Sequence, residues 1–114
     1  MGHAKITSKE LQEAYEKVNA GQAVLLDVRA QWEREEEGYE PKAMHMDYEL
    51  FTEGKLPDLP KDATIYVHCK AGGRAGVVAQ VMQSHGFKQV FNLGGYKDWC
   101  SRTGAAGRKA NFVL

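Results

Sequence analysis

Leu11, Ala14, Tyr15 and Val18 recur at the three- and four-residue spacing of one helix face, which predicts a helix over Ser8–Asn19. Thr7 and Glu10 ahead of it have the spacing of a capping box, and Gly21 behind it is a stop signal. The pattern then changes period. Residues 23–28 are apolar throughout except for Asp27, as in a strand covered on both faces of a parallel sheet. Residues 31–37 are strongly charged and carry moderate helical character at best. Their glutamates read as a solvated face or an acidic docking surface, and Gly38 and Pro41 break the segment.

Residues 43–46 predict a short strand in which Met44 and Met46 alternate as core residues would. A weak helical turn over residues 48–52 and a proline-bearing connection over residues 56–60 follow. Thr64, Ile65, Tyr66, Val67 and His68 form the clearest strand, rich in β-branched and aromatic residues. After a glycine-rich loop, the chain reads helical from Arg74 or Ala75 to His85, with Val77, Val78, Val81 and Met82 as its apolar stripe and Gly86 as its stop. Residues 89–93 predict a fourth strand. Gly94 and Gly95 lead into a last helical segment bearing Tyr96 and Trp99, and residues 105–114 form a poorly specified tail. This alternation implies an α/β domain with a mainly parallel sheet, helices on both faces and right-handed crossovers. Ligands of such sheets sit beyond the carboxyl ends of strands. That directs attention to Asp27 through Arg29, to Met46 and Asp47, and above all to the loop after His68.

The 114 residues suit one domain with its own core, and no apolar run approaches the length needed to span a bilayer. Fifteen basic residues balance fifteen acidic ones, so neither a nucleic acid nor an anionic membrane is an expected partner. Cys69 and Cys100 are too few for a disulfide scaffold and lie in no C-x-x-C pair, and the four histidines add no metal-ligand spacing. The start of the chain lacks a hydrophobic signal region, and a reactive thiol suits a reducing compartment, so a cytoplasmic location is expected.

The stretch His68-Cys69-Lys70-Ala71-Gly72-Gly73-Arg74-Ala75-Gly76 sets a cysteine at a strand end, then two glycines, then a helix start. Glycines let consecutive N–H groups turn inward as an anion-binding nest, and the helix adds its positive end at the same point. The Cys69 sulfur is placed to be that anion, with Lys70 and Arg74 as nearby cations, and thiols in such surroundings ionise more readily. Cys69 therefore reads as a nucleophile activated by electrostatics, without an obligatory general base. In the competing reading it is a small buried hydrophobe beside a tight turn. The cations bracketing the glycine pair favour the nucleophile, which in turn requires a sulfur that solvent can reach.

These residues resemble the rhodanese (sulfurtransferase) family, whose active loop runs Cys-x-x-Gly-x-Arg between a strand and a helix; Cys69, Gly72 and Arg74 match it. Asp27-Val28-Arg29 is similar to the family's Asp-Val-Arg strand end. The segment Gly38-Tyr39-Glu40-Pro41-Lys42-Ala43 resembles its Gly-His-Ile-Pro-Gly-Ala turn, with Tyr39, Glu40 and Lys42 as departures. Gly94-Gly95-Tyr96-Lys97-Asp98-Trp99 resembles its Gly-Gly-x-x-x-Trp. The resemblance implies a three-layer rhodanese-like domain over residues 5–104 and a persulfide cycle on Cys69. Thiosulfate or a similar small molecule would be the sulfur donor, and a thiol, a protein sulfur acceptor or cyanide the acceptor. It further implies that the amides of Lys70, Ala71, Gly72, Gly73, Arg74 and Ala75 hold the anion, that Arg74 with Lys70 orients the donor, and that no cofactor or metal is required. A cysteine phosphatase or arsenate reductase is the alternative, but those loops carry one more residue between Cys and Arg, leaving Ala75 where the arginine would stand. A non-catalytic binding module is a further alternative, one that normally goes with loss of the cysteine.

The remaining candidates have structural readings. Residues 71–76 imitate a dinucleotide fingerprint without its first glycine, but the next strand supplies Asn92 where a ribose-binding carboxylate belongs. His68, next to Cys69 on a strand, points to the opposite face and reads as structural. Asp27 and Arg29 read as holding neighbouring loops, His85 as complementing a helix end, Trp99 as packing the last helix on the sheet, and Cys100 as a packed residue rather than a resolving thiol.

Overall fold

The structure, a computed structural model, describes residues 6–103. Its elements follow in the order α1 (Ser8–Asn19), β1 (Val24–Asp27), α2 (Gln31–Glu37), β2 (Met44–His45), α3 (Tyr48–Thr52), β3 (Thr64–Cys69), α4 (Gly73–Ser84), β4 (Gln89–Gly95) and α5 (Tyr96–Thr103). The four strands form one parallel sheet in the order β2-β1-β3-β4. Thr7 and Glu10 make the reciprocal capping bonds at the start of α1: the Glu10 amide donates to Thr7 Oγ1 at 3.2 Å and the Thr7 amide to Glu10 Oε1 at 2.8 Å. No helix among the described residues is long and apolar enough to cross a membrane.

Alternation along the strands sorts the core into two layers. Leu26, Ile65, Val67, Cys69 and Val90 pack with Phe51 of α3 and Ala75, Val78, Ala79 and Met82 of α4. On the other face Leu25, Tyr66 and Leu93 pack with Leu11, Ala14 and Val18 of α1 and Trp99 of α5. The chain is thus an α/β domain whose parallel sheet is flanked by helices on both sides.

Three expectations are corrected. The buried face of α4 is Ala75, Val78, Ala79 and Met82 rather than the valine-rich stripe; Val77 is 44% exposed, because the helix docks on the sheet through its small residues. Met44 is 37% exposed on the short edge strand β2, and only Met46 packs against the core. Residues 31–37, of moderate helical character in the sequence, form a full helix, and Glu33 within it is buried rather than solvated.

Candidate active site

β3 ends at Cys69, so the sulfur lies where the strand hands over to the loop before α4. Gly72 makes the turn with φ 101°, a left-handed conformation that an L side chain would strain. Its amide donates to Cys69 Sγ at 3.0 Å, and the Ala75 amide in the first turn of α4 donates to the same atom at 3.4 Å. Both donors belong to backbone groups that a helix start leaves without an intrahelical partner. They face the thiol instead. Lys70, Ala71 and Gly73 are exposed, while Cys69 itself is 1% exposed. The loop closes over the sulfur, so the reachability expected of a nucleophile is not met in this conformation.

Each of the two cations of the loop is paired with a carboxylate of α2. Arg74 is held by Glu33 of α2 in a two-pronged pair, Nη1 to Oε2 at 2.8 Å and Nη2 to Oε1 at 2.7 Å. Lys70 Nζ lies 2.9 Å from Glu37 Oε2. The groups that hydrogen-bond the sulfur directly are the two amides. Glu33 also accepts from the Ala30 amide at 2.9 Å, closing the first turn of α2. The reading of residues 33–37 as a solvated face is thus corrected for Glu33 and Glu37, since these two glutamates are the counterions of the loop. The hydrogen bonds from Arg74 outweigh burial and hold the Glu33 carboxyl below its ordinary value. The same pair raises Arg74 and keeps it charged.

A depressed carboxylate stabilises the fold above its ordinary titration near pH 4.5, and this contribution is lost as the pH falls through the folded value. Glu33→Gln is expected to lower the unfolding free energy by about 2 kcal/mol at neutral pH. In urea titrations the gap between the two proteins is expected to narrow progressively as the pH is lowered from neutral through the acid range, as Glu33 takes up its proton in the folded state; a deficit that does not change with pH would show that the charge is irrelevant.

Behind the loop lies a buried polar group. Arg29, fully buried, bonds Asp27 through Nε and Nη2 (3.0 and 2.9 Å), donates to the Gly38 carbonyl at 2.9 Å, and stacks over the Tyr96 ring at 4.4 Å. Burial would raise Asp27, but the bonds from Arg29 and the neighbouring positive charge prevail and its carboxyl is lowered. His68 faces this group and not the thiol; its Nε2 is 3.8 Å from Asp27 Oδ2, and burial pushes its pKa down. Asp27 and Arg29 thus tie β1 to the segment after α2, the structural role expected of them. Trp99, 1% exposed, packs α5 on the sheet as anticipated, and His85 bonds the Val81 carbonyl at the end of α4. Cys100 packs against the layer opposite Cys69, so the sheet separates the two thiols.

Two β4 residues complete the surroundings, and neither was marked for this role in the sequence. Asn92 donates from Nδ2 to the Gly72 carbonyl at 3.1 Å. Gly95 lies against the Lys70 peptide, where a Cβ would be 2.1 Å from the carbonyl oxygen. Among the described residues no group of three or more His, Cys, Asp or Glu side chains is placed to hold a metal ion.

A parallel α/β sheet carrying a cysteine in an amide nest between strand and helix defines a class of domain. The match to the rhodanese-like domain over residues 10–102 is of that class, and the chain belongs to this family. It is similar to YrkF of Bacillus subtilis (strain 168), a protein named for a sulfur-carrier role, with 29% identity over 88% of this chain. The chain spans only about half of that relative, 54% of its length. Among solved structures, SSP1007 of Staphylococcus saprophyticus is 30% identical with a TM-score of 0.66, covering 90% of this chain and 95% of that one. The human single-domain sulfurtransferase TSTD1 shares the fold at 18% identity and a TM-score of 0.65, covering 79% of this chain and 91% of that one.

Proposed function

We propose that this protein is a sulfurtransferase that carries a sulfane sulfur on Cys69, with thiosulfate or a related small donor and a thiol or cyanide acceptor. The observation that carries the reading is the pair of backbone amides, Gly72 and Ala75, directed at Cys69 Sγ. Donors fixed in the backbone stabilise a sulfur anion without having to reorganise when charge develops. In the first half-reaction the Cys69 thiolate attacks the outer sulfur of thiosulfate. The S–S bond of the donor breaks, sulfite leaves with the bonding pair, and Cys69 becomes a persulfide. An acceptor thiolate or cyanide then attacks the terminal sulfur, taking it as a persulfide or thiocyanate and returning the Cys69 thiolate. No net oxidant is consumed. Arg74 would orient the sulfonate end of the donor through paired N–H groups, which requires that it exchange Glu33 for the donor. Lys70, exposed on the loop, would add attraction for the anion.

The 1% exposure of Cys69 sets a condition on this reading. Attack requires the loop over residues 70–73 or the Arg74–Glu33 pair to give way. Incubation with thiosulfate at neutral pH is expected to add the mass of one sulfur atom to the intact protein, at Cys69, and iodoacetamide is expected to reach the same residue in the folded state. A Cys69 that neither loads sulfur nor alkylates before global unfolding would return it to the reading of a buried core residue.

A further inference from the structure

β4 does more than close the sheet. Its pairing with β3 runs Val67 to Asn92 and then His68 to Gly94, so the register slips by one residue and Leu93 is extra. Bulges of this kind re-aim the residues around them. At this one, Asn92 makes two bonds from a single side chain. Oδ1 accepts from the Gly94 amide at 2.9 Å, and Nδ2 donates to the Gly72 carbonyl at 3.1 Å. Only one orientation of the amide serves both, because its oxygen must face an N–H and its nitrogen a C=O. Asn92 is 5% exposed, so a partner left unserved there would be buried without water.

We propose that Asn92 is a positioning residue for sulfur transfer, bridging the β4 bulge to the Gly72 peptide and thereby aiming the Gly72 amide at Cys69 Sγ. Gly72 is the joint that most needs an external tether. With no Cβ and a φ of 101°, its own sterics restrain it least, yet its N–H is the shorter of the two hydrogen bonds to the sulfur. Its carbonyl takes one bond from Gly76 of α4 at 3.0 Å and one from Asn92. The helix and the sheet therefore both grip the peptide next to the sulfur-facing amide. Asparagine suits this place because it offers a donor and an acceptor at one end. Aspartate keeps the bond to Gly94 but turns a carboxylate toward the Gly72 carbonyl, and alanine offers neither group.

The kinetic consequence rests on the sulfur-transfer reading, whereas the geometry can be measured without it. Amide hydrogen exchange by NMR is expected to show a protected Gly72 N–H in the parent. It should exchange at least about tenfold faster, relative to interior α4 amides, in both Asn92→Ala and Asn92→Asp. The Gly94 amide should stay protected in Asn92→Asp and lose protection in Asn92→Ala. In the thiosulfate-to-cyanide assay both variants are expected to lose about tenfold in kcat with little change in the KM for thiosulfate, as befits misplacement of a group that acts on developing charge. Val90→Ala, a core truncation on the same strand, controls for stability: it should weaken the fold yet leave Gly72 exchange and kcat at parent values. Gly72 exchange in the Asn92 variants no faster than in Val90→Ala overturns the proposal, as does a kcat that merely follows stability across all three. A Gly72 amide that loosens as expected in a protein whose parent form never loads sulfur would sustain the positioning role and reject sulfur transfer.

Discussion

Cys69→Ser is expected to remove thiosulfate-to-cyanide transfer by a factor of at least about a thousand while leaving the fold intact. The serine hydroxyl can occupy the nest and accept from the Gly72 and Ala75 amides, so the packing of β3 on α4 is kept and the unfolding free energy should change by no more than about 1 kcal/mol. What is lost is the nucleophile: a hydroxyl does not ionise near neutral pH and forms no persulfide. Intact mass after thiosulfate treatment should show no added sulfur, and circular dichroism should match the parent. Cys100→Ser, in the opposite core layer, should leave both readouts unchanged. Transfer persisting in Cys69→Ser, or vanishing in Cys100→Ser, would remove Cys69 from the mechanism.

The second large effect is expected at a residue with no functional group. In Gly95→Ala the new methyl would lie 2.1 Å from the Lys70 carbonyl oxygen, 2.9 Å from its carbonyl carbon and 3.4 Å from Ala71 Cα. All three belong to backbone, so no flexible side chain can swing aside. Either the loop lifts away from β4 or the end of β4 moves. Because Lys70 is bonded directly to Cys69, lifting the loop moves the sulfur and the amides relative to one another. Displacements near 1 Å cost about a hundredfold in rate, and overpacking of this kind costs about 2 kcal/mol in stability. Gly54→Ala separates strain from position: Gly54 has φ 87° with nothing within 4 Å of its Cβ, so it should cost about 1 kcal/mol and no activity. Equal kcat losses in the two variants would show that Gly95 matters only for folding.

Much of the fold was legible because the signals that carry it are local. The capping box at Thr7 and Glu10, the 3.6-residue period of the helix Ser8–Asn19, and the short apolar or β-branched runs of the strands are all read over a few neighbouring residues. Two amides of the expected nest were legible for the same reason: Gly72 and Ala75 lie three and six residues after Cys69, so glycine placement before a helix brings their N–H groups to the sulfur. α2 was harder to read. A run of glutamates has no apolar face to declare its side of the sheet, and the buried Glu33 finds its partners in Arg74 and the Ala30 amide.

The sequence by itself determined the order of strands and helices, the cysteine at a strand end, and a loop able to gather amides around a sulfur, since each depends on residues a few positions apart. Tertiary structure alone decided that Glu33 would hold Arg74 across a separation of 41 residues, that Asn92 would reach the Gly72 carbonyl, and that Gly95 would leave room for the Lys70 peptide. Those contacts arise where parallel strands β1, β3 and β4 bring their carboxyl ends side by side. Pairing between distant segments leaves no periodic trace in either of them.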